Sequence, residues 1–303
     1  MRSSLLDDVR TVARGWRWTR RPLVPRSAEP WVPPREPREF PTEWARTPAA
    51  RNLREAIHSY VLRPLVWTET RPLVEGLDHL EALSGPVMFV SNHASHLDAP
   101  LVLCSLPGRW RRRTAVGAAA DYFFDVWWRS AGTALVFNAF PIERSAGKRV
   151  TTTATRLIRE GWNLLVFPEG TRSRDGWVGR FRTGSARLCV EFGIPAVPVA
   201  IRGAYAAMPR GRAWPRPGRL PVSVRYGPPV WPDGDEQVRA FSDRLAEAVA
   251  RLWDEDRTSW WASRLRASRG NTPTAGGPEG PRWLRVWEAS RPLPRPGRPR
   301  AWS

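Results

Sequence analysis

Between about residues 48 and 256 the apolar positions keep a period that changes from element to element, and on either side no period is sustained. Leu53, Ala56, Ile57, Tyr60 and Val61 follow helical spacing, and Pro64 bends or ends that helix. Val87 to Val90 reads as a buried strand, followed by a helix over Leu97 to Leu106. Thr114 to Ala118 and Ala134 to Phe137 read as strands. Val150, Ala154, Leu157 and Ile158 define a helix ended by Gly161, and Leu164 to Phe167 is the next strand. Ala186, Cys189, Val190 and Phe192 suit a short helix closed by Gly193. Ala196 to Ile201 and Pro221 to Tyr226 read as strands, and Val238, Phe241, Leu245, Ala248, Val249 and Leu252 form the stripe of a last helix. Strands alternating with helices predict an α/β domain over residues 48–256, with a mixed, mostly parallel sheet flanked by helices.

The flanks read differently. Residues 1–47 form a basic segment with proline-rich patches such as Arg35-Glu36-Pro37-Arg38. Within it, Leu5, Val9, Val12 and Trp16 line one side of a short amphipathic stretch from Leu5 to Trp18. That stretch suits a membrane interface, packing on the domain, or no fixed structure. Residues 257–303 carry ten arginines against two acidic residues, with Trp260, Trp261, Trp283, Trp287 and Trp302. Such a composition predicts a disordered basic tail.

Composition adds charge to this picture. The 303 residues give a formal net charge of +19, which favours an anionic partner such as phospholipid, nucleic acid or an acidic carrier protein. Lys148 is the sole lysine, so base composition shares responsibility for the arginine excess. The most apolar stretch, Ala115 to Phe140, is broken by Asp121, Asp125 and Arg129, so no spanning helix is expected. The first 25 residues lack an apolar core and hold Asp7 and Asp8, so no signal peptide is expected either. Cys104 and Cys189 are too few for a disulfide framework or a cysteine-rich zinc site, and they read as reduced packing residues.

Two polar clusters follow predicted strands. In Asn92-His93-Ala94-Ser95-His96-Leu97-Asp98, a histidine leaving a strand and an aspartate in the first helical turn can meet. An aspartate beside an imidazole fixes its tautomer and makes it a competent general base. Ser95 with Asp98 is also an acceptable capping box, which would give Asp98 a structural task. His93, His96 and Asp98 are potential zinc ligands too. Only His58 and His79 remain as other histidines, and no later cluster completes such a site, so no metal is expected. The second cluster is Phe167-Pro168-Glu169-Gly170-Thr171-Arg172-Ser173-Arg174-Asp175-Gly176. Its glycine permits close backbone approach, and its arginine forks match phosphate or carboxylate. A plain polar turn is the alternative.

These residues resemble the glycerolipid acyltransferases, which include lysophosphatidic acid and glycerol-3-phosphate acyltransferases. Asn92 to Asp98 is similar to their first block, N-H-x-x-x-x-D, and Phe167 to Arg172 to their third, F-P-E-G-T-R. Phe140-Pro141-Ile142-Glu143-Arg144 resembles the second, departing from it at Asn138, where glycine is usual, and at Pro141. Ile194 to Val199 resembles the fourth. The resemblance covers roughly residues 72–227. It implies His93 as the base that deprotonates the acceptor hydroxyl, with Asp98 orienting it. It implies Arg144 and Arg172 on the acceptor phosphate, Glu169 at the substrate hydroxyls or holding an arginine, and Gly170 and Thr171 shaping the loop. Transfer would be direct, from acyl-CoA or acyl carrier protein to lysophosphatidate, glycerol-3-phosphate or another lyso-lipid, with no cofactor. The expected place is the cytoplasmic membrane face, peripherally bound to phospholipid. A metal-dependent hydrolase and a basic nucleic-acid-binding protein are the readings from other classes; no nucleic-acid module is recognisable, and no nucleic-acid partner is expected.

Overall fold

The computed structural model describes residues 41–119, 127–142 and 150–294. All of them fall in the unit Arg38–Ser303. The proposed helix at Leu5 to Trp18, Arg144 and Trp302 lie outside the described residues.

Seven strands form one sheet: β1 (Thr70–Glu75), β2 (Met88–Ser91), β3 (Thr114–Ala119), β4 (Phe140–Ile142), β5 (Asn163–Val166), β6 (Ala196–Arg202) and β7 (Leu220–Tyr226). Their spatial order is β1-β7-β6-β2-β5-β3-β4. Only the β6–β7 pairing is antiparallel, so β2 to β6 run in one direction and end at one side of the molecule. In the centre, Val90 of β2 sits beside Val166 of β5 and Pro198 of β6. Every residue of β2 and β5 is buried, as a strand covered on both faces requires. Alternate residues feed two cores. Met88, Val90, Leu164 and Val166 pack with Leu157, Cys189, Phe241 and Leu245 on one face. Phe89, Leu165, Val197 and Val199 pack with Leu101, Val102, Val224 and Tyr226 on the other. The fourth motif block, Ile194 to Val199, therefore runs into core strand β6.

The first helix forms, but Pro64 does not end it. α1 (Pro48–Ile57) passes through a π turn at His58–Leu62 into α2 (Arg63–Glu69). The Arg63 N–H bonds the His58 carbonyl, a five-residue closure that accommodates the proline in the first turn of α2. Its apolar stripe faces outward: Leu53 is 52% exposed, Tyr60 82% and Val61 58%. Arg54 and His58 face inward instead.

Their partners explain one correction. Ala134 to Phe137, expected as a strand, belongs to helix α5 (Trp127–Phe137), which comes after α3 (Asp98–Ser105) and α4 (Gly108–Arg111). A short run apolar on every side fits strand and buried helix equally. The helix terminus is closed by side chains from far upstream: Arg54 Nε donates to the Leu135 carbonyl at 2.6 Å, and His58 Nε2 lies 2.6 Å from the Val136 carbonyl. Burial, then Arg46 and Arg51, lowers the Arg54 pKa to about 10. Arg54 therefore stays a cation at a helix C-terminus, where positive charge is favoured. The chain then turns at Asn138 with φ of 49°, the left-handed region that glycine favours and asparagine tolerates. Asparagine thus keeps the backbone shape at the position where the resemblance departs from glycine.

β1 had no signal because Pro72 interrupts its pattern. It forms an edge strand with only β7 as neighbour, where a missing N–H is tolerated. The remaining helices of the domain are α6 (Val150–Arg159), α7 (Gly184–Phe192), α8 (Ala204–Ala207) and the long α9 (Val238–Arg257). Beyond α9 the described residues, up to 294, do not form the expected disordered tail: α10 (Trp260–Ser268) and α11 (Arg282–Ala289) dock on the domain. Arg266 holds Asp254 through two 2.8 Å bonds, and Arg285 holds Asp175 at 2.6 Å. Trp177 Nε1 donates to the Arg285 carbonyl at 3.0 Å, and the Val178 N–H to the Ala275 carbonyl at 3.1 Å. α11 buries no residue, so it is held by charge and backbone bonds rather than by a core, which composition does not reveal.

Candidate active site

The first cluster leaves the carboxyl end of β2 and the second the carboxyl end of β5, its parallel neighbour. That end is where α/β sheets collect active groups. Asn92 fixes the first turn: its Nδ2 donates to the Ile201 carbonyl at 2.9 Å, and its Oδ1 accepts the Ile201 N–H at 2.8 Å. A side-chain amide thus continues the ladder to β6 where the β2 backbone departs.

His93 Nδ1 lies 2.8 Å from Asp98 Oδ2. The same carboxylate oxygen accepts the N–H groups of Ala94 at 2.7 Å and Ser95 at 2.8 Å. Asp98 is fully buried. Because a carboxylate only accepts, Nδ1 carries the proton and Nε2 remains the basic end of the ring. The imidazole is 21% exposed and stacks on Phe167, with ring centroids 4.1 Å apart and planes 21° from parallel. Asp98 also has a structural task. It takes the Ser95 N–H, while the Ser95 hydroxyl accepts from Leu97 at 3.1 Å and donates to the Met208 carbonyl at 2.7 Å, so the expected capping box does not close: Leu97 is the N-cap, with no side-chain cap bond.

Both carboxylate oxygens of Glu169 accept backbone amides. Its Oε1 accepts the His93 N–H at 2.8 Å and its Oε2 the Gly179 N–H at 2.9 Å, so it ties the two motif loops together. Burial pushes its carboxyl up to about 7, against those two amide bonds and with help from Asp98 and Asp175. The Ser173 N–H adds a 2.7 Å bond to the His93 carbonyl. Gly170 adopts φ of 71°, and a Cβ there would stand 3.0 Å from Arg182 Nε. Thr171 is exposed and Arg172 half-buried. The positive charge of Arg172 acts on His96, which burial first and then that charge lower to about 4, so His96 is neutral at physiological pH. Arg172 therefore belongs beside the histidine loop. Arg144 lies outside the described residues, although Ile142, two residues before it, ends β4 at the same side of the sheet.

Cys104 is buried in α3 and its thiol is pushed up to about 12, which makes it a packing group rather than a nucleophile. Among the described residues no three His, Cys, Asp or Glu side chains gather to hold a metal ion. The motif reading missed the tasks of Asn92 and Phe167, although both stand inside the quoted blocks. Gly179 gave no signal at all.

A His–Asp pair of this geometry can remove a proton from a hydroxyl group and return it to a leaving group. The comparisons agree with that chemistry. A family model for acyltransferases matches residues 71–202, which include both clusters. A 1-acyl-sn-glycerol-3-phosphate acyltransferase of Limnanthes douglasii is 31% identical over 191 residues, covering 59% of this chain and 64% of that protein. The alpha form from Bos taurus is 30% identical over 189 residues, covering 60% and 62%. The chain thus spans just under two thirds of the length of these relatives. The crystal structure of the 1-acyl-sn-glycerophosphate (LPA) acyltransferase PlsC from Thermotoga maritima aligns with a TM-score of 0.57 and 27% identity, over 73% of this chain and 85% of that one.

Proposed function

We propose, on the premise that residues 71–202 are an acyltransferase domain of the glycerolipid kind, that this protein is a 1-acylglycerol-3-phosphate O-acyltransferase. It moves a fatty acyl group from a thioester to the free hydroxyl of lysophosphatidate, giving phosphatidate for phospholipid synthesis. The observation that carries this reading is His93 held through Nδ1 by buried Asp98, beside the Phe167 to Arg172 loop. His93 Nε2 takes the hydroxyl proton as the oxygen attacks the thioester carbonyl. The tetrahedral intermediate then collapses, the C–S bond breaks, and the imidazolium returns its proton to the leaving thiolate. Asp98 stabilises the imidazolium between those steps. Arg172 and Arg144 bind the acceptor phosphate, and Glu169 positions rather than touches substrate. The donor is acyl-CoA or an acyl carrier protein thioester, and no cofactor takes part.

Purified full-length protein, given both donor types with lysophosphatidate, glycerol-3-phosphate and other lyso-lipids, is expected to make phosphatidate, read by mass. Arg172→Ala should raise the lysophosphatidate KM about tenfold or more, the worth of a charged hydrogen bond. No transfer to any hydroxylated acceptor would sink the reading.

A lipid acceptor calls for a lipid surface, and we place the protein peripherally on the cytoplasmic membrane face. Among the described residues no helix is long and apolar enough to cross a membrane. The outward row of Leu53, Tyr60, Val61 and Leu65 supports contact with acyl chains, and the +19 charge supports contact with anionic headgroups. Each basic residue near such a surface is worth about 1 kcal/mol and is screened by salt. Flotation with anionic vesicles should therefore weaken at high salt without vanishing. The residual binding should fall in a Tyr60→Asp, Val61→Asp double variant, and unchanged flotation of that variant would remove this helix as the anchor.

A further inference from the structure

A second feature stands beside the motif loops. A cleft of about 580 Å³ opens between the loop after Glu169 and the C-terminal helix α11, lined by Arg174, Tyr205, Arg210, Arg282, Trp283 and Val286. Several arginines elsewhere are paired: Arg285 with Asp175, Arg225 with Glu255 at 3.0 Å, Arg266 with Asp254. The guanidinium groups of Arg174, Arg210 and Arg282 have no ion-pair or hydrogen-bond partner among the described residues. Among the described residues no acidic side chain lines the cleft. Three guanidinium groups converging on one cavity repel one another, and a polyanion relieves that repulsion while matching their forks. The opposite character is present too. Trp283 is 70% exposed and Val286 is half-buried beside it, a flat apolar wall on which an aromatic ring can stack. Tyr205 is packed in place, its hydroxyl donating to the Arg174 carbonyl at 3.3 Å.

We propose that this cleft binds the nucleotide end of a coenzyme A thioester, with its phosphates on Arg174, Arg210 and Arg282 and its purine on Trp283. The assignment deepens the acyl-transfer reading and rests on it for the role of the ligand. Coenzyme A carries a 3′-phosphate and a 5′-diphosphate around one purine, which matches three arginines and one indole. The Ser173 N–H bonds the His93 carbonyl at 2.7 Å, and Arg174 is the next residue, so the cleft begins close to the base. A pantetheine arm spans roughly 15 Å by extended-chain dimensions, and in this assignment it leads from the cleft towards His93. A concave site with an aromatic wall favours a nucleotide over the convex acidic helix of a carrier protein.

The test is titration calorimetry on the full-length protein with coenzyme A, dephospho-coenzyme A and pyrophosphate, followed by kinetics. Arg282, Trp283 and Arg210 are exposed, so their alanine variants are expected to fold. Coenzyme A should bind one to one, and R282A, R210A and W283A should each weaken it about tenfold or more. The same variants should raise the acyl-CoA KM and leave the lysophosphatidate KM within about twofold. Their KM for an acyl carrier protein thioester should not move. Equal coenzyme A affinity in wild type and variants would overturn the site, as would a rise in the acceptor KM alone. Pyrophosphate binding as tight as coenzyme A would reduce it to an anion site and overturn the nucleotide assignment. A parallel rise in the carrier-protein KM would assign the patch to a protein donor instead. Calorimetry needs no turnover, so the two readings fail separately. Coenzyme A binding without acyl transfer would sink the proposed reaction and keep the site. Transfer with unchanged binding in R282A would do the reverse.

Discussion

His93→Ala is expected to lower acyl transfer by about 10²–10⁴-fold, the usual worth of a positioned general base, while the protein still folds. The folded state loses the Nδ1 bond to Asp98 and the ring stacked on Phe167. A hydrogen bond to a charged group is worth about 1.5–3 kcal/mol. Asp98 keeps two backbone N–H donors, from Ala94 and Ser95, so its charge is not left bare. The His93 N–H to Glu169 is backbone and survives the substitution. The variant should therefore show a modest fall in melting temperature and a collapse in kcat, with acceptor KM little changed. A folded His93→Ala protein within about threefold of the wild-type rate would remove the histidine from the reaction.

Asp98→Asn carries the second large effect, and it acts on rate and stability together. One carboxylate oxygen accepts three N–H groups while the other, Oδ1, is buried without a partner among the described residues. Asparagine must turn its oxygen to the three donors, which leaves its NH₂ buried where Oδ1 stood. An unsatisfied buried donor costs about 1–3 kcal/mol, and the three remaining bonds lose their charge. The imidazolium loses its counter-charge as well, so a rate loss of about 10²-fold or more is expected. Thermal melts with single-turnover kinetics separate the two losses. Near wild-type melting and turnover together would contradict the task given to Asp98.

Periodicity revealed the central sheet because strands buried on both faces read as nearly continuous apolar runs, as in Met88–Val90 of β2, Leu164–Val166 of β5 and Ala196–Ile201 of β6. The motif blocks likewise placed His93, Asp98 and Glu169 together, since strand-end clusters on neighbouring parallel strands meet. What stayed hidden depends on contacts across long sequence distances. Arg54 closes a helix end 81 residues away, and Arg285 reaches Asp175 across 110. No local pattern encodes such pairs, so α5 read as a strand and α11 as disorder. Glu169 was found, but its bonds to two backbone amides were not. A carboxylate that binds two backbone amides looks, in sequence, the same as one that awaits a substrate.

The π turn at His58–Leu62 sets the helical phase of the outward-facing helix. Successive residues of an α-helix are about 100° apart, so residues spaced by four drift about 40° each step. Over the four steps from Ala50 to Val66 an unbroken helix would rotate by about 160°, carrying Val66 to the far side. The wide turn absorbs one residue, about 100° of that rotation. Ala50, Arg54, His58 and Val66 consequently share the protein side, while Leu53, Val61 and Leu65 keep an exposed row. Closing this turn into regular α-helix with no residue removed would twist the upstream segment out of phase by about 100°. Arg54 and His58 would then swing away from the Leu135 and Val136 carbonyls, and the apolar row would be cut into two patches facing different directions.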